Sequence, residues 1–275
     1  MASFLATQPP LRRSSATTRT RPMAPLSATK LPRKRLSSAP AVVVLVLVAA
    51  AALLAPAEGV TEKEALWALR SRQPSPQGAI STWSLSTEPC AGGWGGVTCA
   101  GGAVTLLDLS NSSLTGTIPA QLRALQRLER LWLHENQLRG TVPAQLSALL
   151  SVTSLALYEN VLTGAIPAQL SVFSRLAYWG LQRNDLTGTI PAQLSGFSHL
   201  TYLGLMQNAL GGTIPAQLSA LSSLEELPLF NNTLTGKVPA QLSVMSRLTY
   251  LGLHQNALTG TIPAQLSVFS YLTYL

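Results

Sequence analysis

From Val104 onward, apolar residues fall at the same seven places in every stretch of 24 residues. In the copy that begins at Leu176 these are Leu176, Trp179, Leu181, Leu186, Ile190, Leu194 and Phe197, which are positions 1, 4, 6, 11, 15, 19 and 22. Complete copies begin at Val104, Leu128, Val152, Leu176, Leu200, Leu224 and Leu248, with no insertion or deletion between them, and an eighth opens at Leu272. They are numbered here as repeats 1 to 8. The alternation around positions 4 and 6 predicts a short strand with one face turned inward. Positions 2, 3, 5, 7 and 8 are then expected to face outward. A fixed period of this length predicts a stack of like units rather than a globule. One unit buries too little apolar surface to offset the ordering of its own backbone, so several must fold together.

The ninth position is Asn in repeats 2 to 7, from Asn136 to Asn256, and Ser112 in repeat 1. A short carboxamide with two donors and an acceptor, set at the turn after a strand, is expected to satisfy backbone groups that the ladder leaves open. Residues 58–103 do not follow the period. Thr61-Glu62-Lys63-Glu64 reads as a capping box, and Ala65, Leu66, Ala68 and Leu69 form the apolar stripe of a helix expected to end near Gln73-Pro74. Trp83 and Trp94 flank a loop bounded by Cys90 and Cys99. This segment is expected to cover the open end of repeat 1.

The formal net charge of +8 changes the picture little, because eight of the basic residues lie in residues 1–40, a Ser/Thr/Pro-rich arm expected to be disordered. The rest of the chain carries eleven basic and eleven acidic residues. The arm has no aromatic interleaving beyond Phe4, which excludes a nucleic-acid-binding patch. Residues 41–55 are an apolar run closed by Pro56-Ala57. Fifteen residues fall short of the roughly twenty that span a bilayer. Residues 41–57 are therefore expected to be the h-region of a signal peptide, ending in an A-x-A cleavage site, or else a signal anchor that would associate the protein with a membrane. A start at Met23 would give a signal peptide of ordinary length. The Arg- and Ser-rich, acid-free arm leaves an organelle transit peptide as the alternative. The two cysteines, nine positions apart, are expected to pair as one disulfide in an oxidising compartment, with two reduced thiols as the alternative. They cannot supply a zinc site by themselves.

The repeat follows LxxLxLxxNxLxGxIPxxLxxL, with Leu114-Thr115-Gly116-Thr117-Ile118-Pro119 as one instance of its L-T-G-x-I-P step. Pro89-Cys90 through Trp94-Gly95-Gly96-Val97-Thr98-Cys99 is similar to a cysteine-containing N-terminal cap. Over residues 61–275 the chain resembles the plant-type leucine-rich repeat family. That resemblance implies an α/β solenoid, curved and right-handed. It would have a concave parallel β-sheet inside, 3₁₀ or irregular turns outside, an extra strand near the Gly-x-Ile-Pro step, and an N-terminal disulfide cap. Members of the family include ectodomains of receptor-like kinases, receptor-like proteins and polygalacturonase inhibitors, which bind partners on or beside the concave sheet. Residues 104–275 would then be seven repeats and a truncated eighth. A stack that stops at Tyr274-Leu275 exposes strand groups and apolar side chains. The chain is accordingly expected to be a fragment, or to be covered there by a co-receptor or by a second copy joined end to end.

On the outward positions, position 3 reads Leu106, Arg130, Ser154, Tyr178, Tyr202, Glu226, Tyr250 and Tyr274, and position 7 reads Ser110, His134, Tyr158, Gln182, Met206, Phe230 and His254. Trp132 adds a ring at position 5. This aromatic stripe makes Trp132, Tyr158, Tyr178, Tyr202, Phe230 and Tyr250 the expected ligand-binding residues. Glu129, Glu135, Glu159, Glu225 and Glu226 add acidity to the same face, and Pro228 at position 5 removes a ladder donor and is expected to loosen the sheet locally. Pro-Ala-Gln-Leu recurs unchanged in all seven full repeats while position 7 holds six residue types, a contrast that favours a diversified binding surface. His134 and His254 are five strands apart, roughly 24 Å, too far to share a metal. No nucleophile constellation or phosphate loop appears, so no catalytic residue, metal or cofactor is expected. Asn111-Ser112-Ser113 and Asn231-Asn232-Thr233 are N-glycosylation sequons.

The function expected from these readings is non-catalytic recognition of a protein, peptide or glycan by a secreted or cell-surface module. The alternatives are an inhibitor of a secreted glycan hydrolase, or a structural protein. In the structural reading the Thr column at position 14 (Thr117, Thr141, Thr189, Thr213, Thr261) and a second at position 12 (Thr115, Thr163, Thr187, Thr235, Thr259) would meet ice or cell wall.

Overall fold

The computed structural model of the protein describes residues 59–269. The arm, the apolar run, the eighth repeat and Tyr274 lie outside the described residues. Within them the chain is an α/β leucine-rich repeat solenoid. One strand per repeat joins an eight-stranded sheet: Ala103–Asp108, Arg130–Trp132, Ser154–Ala156, Tyr178–Gly180, Tyr202–Gly204, Glu226–Pro228 and Tyr250–Gly252, parallel and in chain order. Register is one-for-one, so that Leu107 pairs with Leu131, Leu131 with Leu155, Leu155 with Trp179 and Trp179 with Leu203. Equal repeat lengths enforce this: every position stacks on the same position of the next repeat, about 4.8 Å away.

After each strand the chain turns and closes through a five-residue 3₁₀ helix, and repeats 2 to 7 add a short outer strand before it, such as Val161–Gly164 or Thr233–Gly236. The outer strands form two three-stranded sheets. Each helix starts on the Pro-Ala-Gln-Leu segment. Proline has no N–H to lose, and its carbonyl receives the N–H of the leucine three residues on, as in Leu170 N–H to Pro167 O, 3.1 Å. Glycine at position 13 has φ between 70° and 81° in every full repeat, and a Cβ on Gly164 would stand 2.8 Å from the Thr141 methyl of the previous repeat. No other residue fits both the conformation and the space.

The interior between the sheets and helices is dry. Leu131, Leu155 and Leu203 are at most 1% exposed. Trp179 replaces leucine at position 4 and is fully buried, edge-on to Phe197 at 5.6 Å.

The asparagine column has the structural role its chemistry suggests. Asn160 Oδ1 accepts the Leu138 N–H at 2.9 Å, while its Nδ2 donates to Leu133 O at 2.9 Å and Leu157 O at 3.1 Å. Two of those three partners belong to the preceding repeat. Asn184 and Asn232 repeat the pattern. The residue before position 9 adopts the left-handed conformation in all seven repeats, with φ between 46° and 56°, and in repeats 2 to 7 this turn directs the carboxamide toward the preceding repeat. Only Asn111 and Asn231 at that position have a side chain suited to it; Glu135, Glu159, Arg183, Gln207 and Gln255 do not. In repeat 1, Ser112 turns its hydroxyl to its own Ser110 carbonyl, and the cap glycine Gly78 packs against it.

The cap helix spans Glu62–Arg70 and begins with the capping box, Thr61 Oγ1 accepting from the Glu64 N–H and the Glu64 carboxylate accepting from the Thr61 N–H. It ends ahead of the expected Gln73-Pro74. Gln73 is buried instead, and its carboxamide accepts from the Thr115 N–H and donates to the Thr115 carbonyl, tying cap to repeat 1. Cys90 and Cys99 are disulfide-bonded with Cα atoms 5.6 Å apart. Trp83 and Trp94 stack at 4.9 Å and donate to Gly95 O and Thr87 Oγ1. The sequence does not announce how the cap ends the sheet: Val97–Ala100 pairs antiparallel with the first repeat strand and occupies its open edge.

The loosening expected at Pro228 is one-sided. Glu226–Pro228 keeps three register pairs with repeat 7 and only Glu226 to Tyr202 with repeat 5, the side from which a donor is missing.

Replacing Asn184 by Ala leaves the Leu162 N–H without its partner, while the Leu157 and Leu181 carbonyls keep Asn160 and Asn208 as donors. One buried unpaired N–H costs about 1–3 kcal/mol, which sets the expected loss. Asn256→Ala, at a half-buried site where water reaches the freed groups, should cost less. Urea denaturation followed by far-UV circular dichroism tests the ranking, and equal midpoints for the two variants would refute it.

Candidate ligand-recognition face

Because strands stack in register, outward side chains form columns across the concave sheet. Position 5, read as outward, is covered over much of the face: Ala156, Gly180, Gly204, Pro228 and Gly252 are buried. What covers three of them is the tyrosine two residues earlier. A Cβ on Gly204 would stand 2.6 Å from Tyr202 Cε1, and one on Gly252 would stand 2.9 Å from Tyr250 Cε1. A Cβ on Gly180 would meet the Tyr178 hydroxyl at 3.0 Å. Tyrosine at position 3 thus takes the space that a side chain at position 5 would need, and Tyr-x-Gly recurs as a unit in repeats 4, 5 and 7.

All six expected ligand-binding residues lie on this face and all are half-buried. Tyr178 and Tyr202 stack with centroids 4.8 Å apart and planes within 6°. Tyr158 stacks on His134 at 4.4 Å, and Phe230 on His254 at 4.4 Å. Two parallel rings 4.8 Å apart cannot lie side by side in one plane, because carbon atoms pack no closer than about 3.5 Å and a ring is wider than the gap left. The rings therefore face one another along the solenoid axis, with the Tyr178 and Tyr202 hydroxyls lying over Gly180 and Gly204. Trp132 is not stacked. Its Nε1 donates to Ser154 Oγ at 2.9 Å, and the Arg130 guanidinium lies 5.8 Å from its ring. The two histidines were weighed in the sequence only as metal ligands and dismissed; the structure shows them as aromatic partners. Among the described residues no group of three or more His, Cys, Asp or Glu is placed to hold a metal.

The face is acidic. Asp108, Glu129, Glu135, Glu159, Glu225 and Glu226 oppose only Arg130 and Arg183. Arg183 pairs with Glu159, and its Nε donates to Gln207 Oε1 at 2.8 Å. Burial is the main cause that raises the Tyr158, Tyr178 and Tyr202 phenols above their ordinary pKa. The carboxylates add to it: Glu135, Glu159 and Asp108 act on Tyr158, and Glu226 on Tyr178 and Tyr202. A side-chain hydrogen bond with Gln182 pulls Tyr178 the other way. The phenols are thus held protonated, as donors. Gln182 is 7% exposed, its Oε1 lies beside Gly180 and Gly204, and that oxygen has no hydrogen-bond partner among the described residues. Asn111 and Asn231 are exposed at position 8, along one margin of the sheet.

Comparison with known proteins agrees with this architecture. Residues 61–100 match the family described as Leucine rich repeat N-terminal domain, and residues 103–125 and 198–258 match Leucine rich repeat families. The brassinosteroid LRR receptor kinase BRL3 of Oryza sativa subsp. japonica is 45% identical over 109 residues, covering 36% of this chain and 9% of the kinase. The ectodomain of the Arabidopsis receptor kinase HAESA, solved with an N-terminally extended IDA peptide hormone ligand, superposes with a TM-score of 0.69. It is 33% identical over 77% of this chain and 36% of that one. A plant ice-binding protein superposes with a TM-score of 0.58 at 28% identity, over 78% of this chain and 77% of that one. The chain therefore spans a small part of the receptor kinases it matches. With a continuous leucine-rich interior, an asparagine column, a disulfide cap and these relatives, the chain belongs to the plant-type leucine-rich repeat family.

Proposed function

We propose that the concave face is a recognition surface for a protein or peptide ligand, in a receptor-ectodomain-like module that works outside the cell or at its surface. One observation carries the reading: the aromatic residues are stacked in pairs and half-buried on a sheet whose register is set by the repeats. Such a surface binds with little ordering cost. Edge-on rings offer their positive rims to backbone carbonyls. They offer few open faces for a sugar ring to lie on, which favours a peptide over a glycan. Glycans on Asn111 and Asn231 would stand along one margin and leave the rings accessible. The HAESA ectodomain, solved with a peptide hormone ligand, supports the same class of partner.

The ice-binding relative favours a second reading, in which the outer threonines are the working surface. The column at position 14 is broken by Ala165 and Lys237, and that at position 12 by Arg139 and Gly211. No run of either column holds more than two threonines in succession. A regular lattice match needs longer rows, so the concave reading is preferred. Thermal hysteresis above that of a control protein would reverse the preference.

The double variant Tyr178→Ala, Tyr202→Ala should weaken peptide binding by tenfold or more, about 1.4 kcal/mol, while the far-UV spectrum and melting midpoint barely change. Unchanged affinity by calorimetric titration would count against the site. Gly204→Ala should act on the same stack from beneath. Its methyl group meets Gln182 Oε1 at 2.3 Å and the Tyr202 ring at 2.6 Å, so ring and carboxamide must move. Gly204 sits in a strand with no left-handed φ, so the backbone tolerates alanine. A changed near-UV spectrum and weakened binding, with a stability loss of about 1–3 kcal/mol, are expected. A wild-type spectrum would show that the stack does not depend on the glycine.

A further inference from the structure

The tyrosine row at position 3 has one gap within it. Repeats 4, 5 and 7 hold Tyr178, Tyr202 and Tyr250, and repeat 6 holds Glu226. Glu226 pairs in register with Tyr202 on one side and Tyr250 on the other. Both tyrosines have the same posture, each ring over the glycine two residues on. Beneath Glu226 that glycine is replaced by buried Pro228, as expected where no ring needs the space. The two rings are two strand spacings apart, roughly 10 Å. They bound a slot with a proline floor and a carboxylate inside it. A planar group midway would lie about 5 Å from each ring, within the roughly 6 Å over which a cation is attracted to an aromatic face.

The slot's charge is not cancelled. Glu226 and its neighbour Glu225 are both exposed, and neither has an ion pair among the described residues. Arg183 is engaged by Glu159, and Arg130 lies over Trp132 four strands away. The features combine negative charge and flanking aromatic faces, and they share one complement: a flat cation rich in N–H groups.

We propose that the slot between Tyr202 and Tyr250 receives the guanidinium of an arginine on an extended peptide ligand, with the Glu226 carboxylate as its counter-charge and Glu225 reinforcing it. The inference rests on the peptide-recognition reading and adds the chemistry of one anchor. Arginine fits better than lysine because its planar, delocalised cation can stack between rings while donating two hydrogen bonds to a carboxylate.

The test is selection of a phage-displayed library of random dodecapeptides on the purified protein, followed by titration of the enriched peptides as synthetic chains. The expected peptides share an arginine. They lose about tenfold in affinity when that arginine becomes its neutral isostere citrulline, and less when it becomes lysine. They also lose about tenfold with Glu226→Gln, and that loss disappears at high salt. Glu129→Gln, four strands away in the position-2 column, should change affinity little. Peptides whose binding falls with Tyr178→Ala, Tyr202→Ala but ignores both citrulline and Glu226→Gln would overturn the arginine slot and leave the recognition face standing. Enriched peptides indifferent to the tyrosines as well, or no enrichment at all, would overturn both.

Discussion

The fold depends on hydrogen bonds that no repeat can complete by itself. Each asparagine at position 9 accepts from a backbone N–H of the preceding repeat and donates to carbonyls of both repeats, and Asn160, Asn184 and Asn232 do so from sites that water hardly reaches. Without the neighbour these groups lose partners that a single repeat cannot supply. Cooperativity follows from this interlock as much as from shared leucine burial. The interlock also accounts for an unfavourable backbone at position 8, where five ordinary residues are held left-handed so that the carboxamide can turn back.

The same constraint builds the concave face proposed for recognition. Repeats of identical length can only stack in register, and register places like positions about one strand spacing apart. That spacing lies within the range of a stacked aromatic pair, so rings recurring at one position fall into contact without any further device. The tyrosine ladder is thus a consequence of the period, and glycine at position 5 is the condition that lets each ring settle. Where the period is kept and the residue changed, the surface acquires a local feature, as at Glu226 and Pro228.

The interior, the cap helix, the disulfide and the role of the asparagines were legible in the chain, because each rests on a local rule: apolar periodicity, a capping box, a cysteine pair, carboxamide valence. Tyr158, Tyr178, Tyr202, Phe230 and Tyr250 were legible as outward residues for the same reason. Their posture was not. Whether a tyrosine stands on edge or spreads over the sheet is decided by position 5 of its own strand and by the ring on the next. Tyr-x-Gly in three repeats was the available signal, and it becomes meaningful only once the register is known. The pairing of His134 with Tyr158 and of His254 with Phe230 was not legible either, because it takes flat rings one strand away to make each histidine an aromatic partner. The antiparallel cap strand Val97–Ala100 had no periodic signature, since it answers to the open edge of a sheet that exists only after the repeats have assembled.

Variation along the chain then separates scaffold from surface by physical need. Pro-Ala-Gln-Leu is unchanged in seven repeats because a 3₁₀ turn needs a residue without an N–H at its start and a leucine for the core. Position 7 has no such duty, and it holds a serine, two histidines, a tyrosine, a glutamine, a methionine and a phenylalanine. A column released from packing would drift toward small polar residues if solvent were its only neighbour. It has instead kept bulk, and its rings pair with rings on adjacent strands. Exposed aromatic area carries a solvation cost that a free surface has no reason to bear. Stacking removes part of that cost, and a molecule covering the rings would remove the rest, which is the physical link between the repeat architecture and the proposed recognition.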